Sequence, residues 1–214
     1  MPVISFVNQK GGCSKSTSSV HFAYWLHQRG DRPMLVDADA QRSSSIWLES
    51  IDAEIPFEVV QSPDDLLDQI PELQGRCDFL VVDGPAGLSE ATRAILFRTD
   101  LAVVPCQPSG VDLRSAADAV RLIKQAQSVR SGPPAAALFI TRAVKGTRLK
   151  EEAIAVLQKS GTPILDTVIH QRQLIADTFG QRATVWELSG KAASEAQNEY
   201  QALFTEVMGM VPNG

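Results

Sequence analysis

The 214-residue chain has no apolar run long enough to span a bilayer, and no secretory leader pattern precedes its first strand-like segment. Cysteine is scarce. Cys13, Cys77 and Cys106 are odd in number, widely spaced and without a C-x-x-C pair. That argues against a disulfide framework or a zinc site and suits a reducing cytoplasm. An excess of positive charge is also missing: the net charge is −5, so any nucleic-acid binding must come from a local patch. Internal repeats and low-complexity stretches are absent, and the breaks at 131–134 and 180–182 are loop-sized rather than linkers. A chain of this length is expected to form one domain, residues 1–214, burying roughly 70% of its unfolded surface.

What is present is a regular alternation. Short apolar runs at 3–7, 33–36, 57–60, 79–82, 101–104, 136–141 and 164–169 read as strands. Longer stretches at 16–28, 44–49, 64–70, 89–97, 113–128, 149–159, 171–179 and 191–208 read as helices. Ser89 is placed to cap the fourth helix, and Leu113, Ala116, Ala117, Val120 and Ile123 mark an apolar face on the fifth. Strands without polar alternation, joined by helices, predict a doubly wound, mostly parallel α/β sheet with helices on both faces.

In such sheets ligands bind beyond the carboxyl ends of the strands, often at a helix N-terminus. Gln9-Lys10-Gly11-Gly12-Cys13-Ser14-Lys15-Ser16-Thr17 lies there, between the first strand and the first helix. Gly11 and Gly12 allow close backbone approach to a phosphate chain, Lys15 supplies charge and Ser16 a hydroxyl for Mg²⁺. Measured against G-x-x-x-x-G-K-[ST], both required glycines are missing: they fall on Gln9 and Ser14. Two later strand ends add carboxylates. One is Asp37-Ala38-Asp39-Ala40-Gln41, the other Asp83-Gly84-Pro85-Ala86-Gly87. A carboxylate at a strand end near Ser16 can hold Mg²⁺ through its waters.

Lys10 to Thr17 resembles the deviant Walker A motif, K-G-G-x-x-K-[ST]-T, of the ParA/MinD superfamily of P-loop ATPases. Asp37 to Gln41 is similar to that family's D-x-D-P-Q segment, and Asp83 to Gly87 to its D-x-P-A-G segment. Pro105-Cys106-Gln107-Pro108-Ser109, with Asp112 beyond it, is similar to the post-strand proline segment of small ParA proteins, and Ile140-Thr141-Arg142 and Gln171-Arg172-Gln173 resemble segments of short ParF-like plasmid partition ATPases. The likeness spans about residues 2–208. Two departures stand out: Ser14 replaces a glycine, and Ala40 replaces the proline of D-x-D-P-Q.

The resemblance implies an ATPase in which two ATP-bound subunits face each other as a homodimer. Lys10 would reach across to the partner's nucleotide, with Lys15 and Asp39 completing the catalytic set. The nucleotide would be held by Gly11, Gly12, Cys13, Ser14, Lys15, Ser16 and Thr17, with Arg142 approaching the adenine. Ser16, Asp39 and Asp83 would serve Mg²⁺, and Asp37 would support the loop or a helix start. The resemblance further implies nonspecific DNA binding in the ATP state, hydrolysis stimulated by a ParB-like or adaptor protein, and a cytoplasmic, nucleoid-associated location. No N-terminal helix-turn-helix is expected, so DNA contact would fall to a patch drawn from Arg142, Lys145, Arg148, Lys150, Arg172, Arg182 and Lys191. The last helix carries Glu195, Glu199 and Glu206, which disfavours a membrane anchor. The expected cargo is a plasmid, the alternatives being a protein compartment such as the carboxysome or a metabolic P-loop enzyme of the same fold.

Overall fold

A computed structural model of the chain describes residues 1–87 and 89–212. Among the described residues seven strands run β1 (Val3–Asn8), β2 (Pro33–Asp37), β3 (Phe57–Val59), β4 (Phe79–Ala86), β5 (Leu101–Cys106), β6 (Ala135–Ala143) and β7 (Ile164–His170). They form one sheet in the order β3-β2-β4-β1-β5-β6-β7, and every pairing is parallel. All six residues of β1 and of β5 are buried, which is why these strands show no polar alternation.

Helices cover both faces. On one side lie α1 (Lys15–Gln28), α2 (Ser43–Ser50) and α8 (Lys191–Met210), packed over a core rich in aromatics: Phe6, Phe22, Trp25, Trp47, Phe139, Tyr200 and Phe204. On the other lie α3 (Pro63–Gln74), α4 (Glu90–Arg98), α5 (Gly110–Arg130) and α6 (Leu149–Gln158), over an aliphatic core. The short α7 (Gln173–Asp177) follows β7. Ser89 caps α4 as its sequence position suggests, its hydroxyl accepting from the Thr92 N–H.

Two departures from the sequence reading have physical causes. Helix α3 continues through Pro71 to Gln74 rather than ending at Ile70. Pro71 has no N–H for the Leu67 carbonyl, and Arg98 Nε donates to that oxygen instead at 2.8 Å. Helix α5 begins at Gly110, capped by Ser109, and buries Asp112 and Ala119 while Ala117 faces solvent. The glutamates of α8 are not a bare acidic face. Glu206 accepts from the backbone N–H groups of Asp166 and Thr167, and Glu199 from that of His170. They satisfy backbone donors on the edge strand β7, which would otherwise invite pairing with another chain.

Candidate functional site

The first strand sits at the centre of the sheet, with β4 on one side and β5 on the other, so the chain leaves β1 at the point where strand order reverses. A cleft of about 580 Å³ opens there, within the range of small-ligand sites. Gly11, Gly12, Ser14, Lys15, Ser16 and Thr17 form one wall, Asp39 and Ala86 lie beside it, and Trp47, Thr141, Arg142 and residues 169–179 supply much of the rest.

The loop is built from backbone rather than bulk. Gly12 has φ +73°, the left-handed region that glycine enters without cost. Ser14 adopts the same region, φ 73° and ψ 22°, immediately before α1. A side chain there costs about 1–2 kcal/mol, which explains why a glycine would suit this position and what its replacement by serine does. Lys15 is 5% exposed, with its Nζ folded back to donate to the Lys10 carbonyl at 3.1 Å. Its ammonium therefore sits inside the loop at the positive end of α1, where phosphates collect. Burial pushes the Cys13 thiol above its usual range against the pull of Lys15, so it is not a ready thiolate.

Lys10 takes a different path. Its Nζ leaves its own loop and pairs with Asp112 Oδ2 of α5 at 2.9 Å. Asn8 braces the loop's start: its Nδ2 donates to the Pro105 carbonyl, and its Oδ1 accepts from Ser115 Oγ at 2.6 Å and from the Lys10 N–H at 3.3 Å.

The two acidic strand ends converge beside the loop. Asp37 and Asp83 are register partners on β2 and β4, and both are fully buried. Asp37 Oδ1 accepts from the Asp39 N–H and Oδ2 from the Ser45 N–H near the start of α2, so it serves the backbone. Asp39 is half-buried in the cleft wall, with Oδ1 on the Gln41 N–H and Oδ2 on the Ala86 N–H at 3.1 Å. Neither oxygen of Asp83 has a hydrogen-bond partner among the described residues. Burial pushes this carboxyl up to about 7; Asp37 adds to the rise, while the nearby Ser16 and Ser44 hydroxyls and Lys15 oppose it. The turn after Asp83 requires Gly84, because a Cβ there would come within 2.8 Å of the Phe6 carbonyl oxygen.

The structure brings Lys15, Ser16, Asp39 and Asp83 together beside the loop, whereas the sequence alone gives Gln107 and Asp112 no role and does not single out Asn8 or Ser115. Gln107 Nε2 donates to the Gly12 carbonyl at 2.8 Å. Arg142 lines the cleft, and its Nη1 reaches the same Gly12 oxygen at 3.0 Å. Ser109 and Asp112 carry an N-cap spacing, a signal for the helix start though not for the ion pair. In the basic patch, Arg172 is engaged inside the protein: it forms a bidentate pair with Glu199, also reaches Glu195, and is 9% exposed in its side chain. Lys145 pairs with Glu195 as well.

A glycine loop, a buried lysine and two strand-end carboxylates at the switch point of a parallel sheet define a P-loop nucleotide-binding protein of the α/β class. The model of the CobQ/CobB/MinD/ParA nucleotide binding domain matches residues 4–185, and the chain belongs to that family. The "maintenance of carboxysome distribution protein A" of Halothiobacillus neapolitanus is 28% identical over 96% of this chain and 95% of its own. The protein of the same name from Gloeobacter kilaueensis is 30% identical over 96% of this chain and 93% of its own. Among solved structures, the ATP complex of an aspartate-to-alanine variant of Cyanothece McdA superposes with a TM-score of 0.82 at 13% identity, covering 100% of this chain and 98% of that one. Among the described residues no helix is long and apolar enough to cross a membrane.

Proposed function

We propose that this protein is an ATPase that works as a switch, forming an ATP-dependent homodimer on nonspecific DNA to position a cargo. A protein compartment of the carboxysome type is the cargo we favour over a plasmid. Two relatives at 28% and 30% identity, aligned over nearly their whole length, carry carboxysome-distribution names. The observation that carries the switch reading is the division of labour between the two loop lysines. Lys15 lies inside the loop, whereas Lys10 is directed away from it onto α5 and is 38% exposed in its side chain. A lysine that does not serve its own loop is available to a partner's, like an arginine finger supplied in trans.

The residues present fit Mg²⁺ and a nucleotide. Asp83 is a buried carboxylate with both oxygens unpartnered among the described residues, and the Ser16 hydroxyl stands beside it in the first turn of α1. Bound Mg²⁺ would neutralise phosphate charge and favour the ionised form of Asp83. Lys15 and the backbone from Gly11 to Thr17 would bind the phosphates, and Asp39 would orient the attacking water. Stimulation by a ParB-like or adaptor protein belongs to the same reading.

The test has two parts. Sedimentation velocity with ATP or ADP should show a dimer with ATP alone. Turnover should then rise when DNA and the cognate adaptor are added together. A monomer in ATP would refute the sandwich, and an adaptor that binds plasmid centromere DNA would transfer the cargo assignment to a plasmid.

A further inference from the structure

The Gly12 carbonyl accepts two side-chain hydrogen bonds from different strand ends. Gln107 Nε2, just beyond β5, donates at 2.8 Å, and Arg142 Nη1, near the end of β6, at 3.0 Å. A carbonyl oxygen has two lone pairs, so this acceptor is fully engaged. Because the peptide unit is planar and trans, fixing the carbonyl also fixes the N–H of Cys13 on its opposite side. The residues flanking Cys13 are both left-handed, Gly12 at φ +73° and Ser14 at φ 73°. Such a run of alternating backbone is what creates an anion-binding concavity from successive N–H groups. Gly12 enters it freely, but Ser14 does not. Its only side-chain compensation among the described residues is one long contact, 3.5 Å from Thr141 Oγ1.

We infer that Gln107 is a positioning residue for the phosphate loop: with Arg142 it clamps the Gly12 carbonyl and holds the loop in its binding form against the strain at Ser14. The inference rests on the reading of this loop as a nucleotide site, and it ties the departure at position 14 to a particular support. Arg142 is itself held at φ +53° and is exposed, so the strand end that carries it is shaped to deliver the guanidinium to the loop. Left-handed non-glycine backbone persists where surrounding contacts over-determine it. Gln107 is the simpler member to test, since it carries no charge that would act on a phosphate directly.

The decisive measurement is the affinity for ADP with Mg²⁺ of the unmodified protein, Gln107→Leu, Ser14→Gly and the double variant. Loss of one neutral hydrogen bond should weaken ADP binding by about three- to ten-fold in Gln107→Leu. In the Ser14→Gly background the same substitution should cost about two-fold or less, because glycine removes the strain the clamp opposes. Thermal midpoints of Gln107→Leu and the parent should agree within about 3 °C, since Gln107 is half-buried and its bond holds a loop rather than the core. A merely structural role would lower the midpoint and would not be relieved by Ser14→Gly. Full affinity in Gln107→Leu, or an equal loss in both backgrounds, overturns the clamp. Failure of the unmodified protein to bind ADP overturns the nucleotide reading beneath it.

Discussion

Replacing Asp112 by asparagine should tighten the ATP-bound dimer. Asp112 is 1% exposed; its Oδ2 holds Lys10 Nζ at 2.9 Å and accepts from Ser109 Oγ, while Oδ1 has no partner among the described residues. If Lys10 serves the opposite subunit's nucleotide, this pair must break twice for every dimer formed. The lysine is 38% exposed in its side chain, so water screens the pair and its net contribution is about 1 kcal/mol rather than the several of a fully buried one. Two such pairs oppose dimerisation by about 2 kcal/mol, which corresponds to about 30-fold in the dissociation constant. Asparagine keeps the shape and can still accept from Ser109, but it releases the ammonium. Sedimentation velocity over a concentration series, in an Asp39→Ala background chosen to slow turnover, reads the effect directly. Lys10→Gln, which can still donate to Asp112 but carries no charge, should abolish the ATP dimer while leaving the fold intact. An Asp112→Asn protein whose dimer is no tighter than its parent's, or which dimerises equally in ADP, would refute the reasoning.

Asp83→Asn should bind ADP about as well as the parent without Mg²⁺ and lose the gain that Mg²⁺ confers; calorimetry with and without the metal measures both. His21 gives a pH dependence. Val185 N–H donates to its Nε2, so Nδ1 carries the proton to the Thr17 carbonyl, and burial lowers its pKa to about 4 from an ordinary 6.5. The unfolded chain therefore binds the extra proton first: stability is present above about pH 6.5 and lost as pH falls towards 4, by up to about 3 kcal/mol. Denaturant melts of His21→Gln should show a flatter slope across that window; an unchanged slope would assign the acid sensitivity to other groups. Gly84→Ala should cost about 2–4 kcal/mol, since its Cβ would meet the Phe6 carbonyl at 2.8 Å. A loss below about 1 kcal/mol would mean that β1 and β4 separate more easily than their packing suggests.

The strands were legible because burial on both faces imposes continuous apolar runs, and each of the seven observed strands overlaps a run read from the sequence. The phosphate loop and its carboxylates were legible for a related reason: they follow strands directly, so strand ends place them without knowledge of tertiary packing. What escaped was chemistry closed over long separations. Gln107 meets Gly12 across 95 positions and Asp112 meets Lys10 across 102, and no local pattern encodes either contact. Arg172 shows the converse error. Beside other basic residues it read as surface charge, yet two glutamates of α8 enclose it. The same contacts change what Ser14 means. In isolation it is a defect in a glycine motif, but beside Gln107 and Arg142 it is a strained residue with a specific counterweight. A loop kept in shape by side chains just beyond β5 and near the end of β6 is sensitive to movement of those strand ends, as a loop of glycines alone would not be. The helix that follows β5 carries Asp112, the partner of Lys10, in its first turn, so the β5–α5 segment touches the loop at both Lys10 and Gly12. Rearrangement there on dimerisation would release Lys10 and disturb the Gly12 carbonyl together. Affinity for nucleotide and readiness to dimerise should therefore change jointly in variants of residues 107–112, and independently in variants of Asp39.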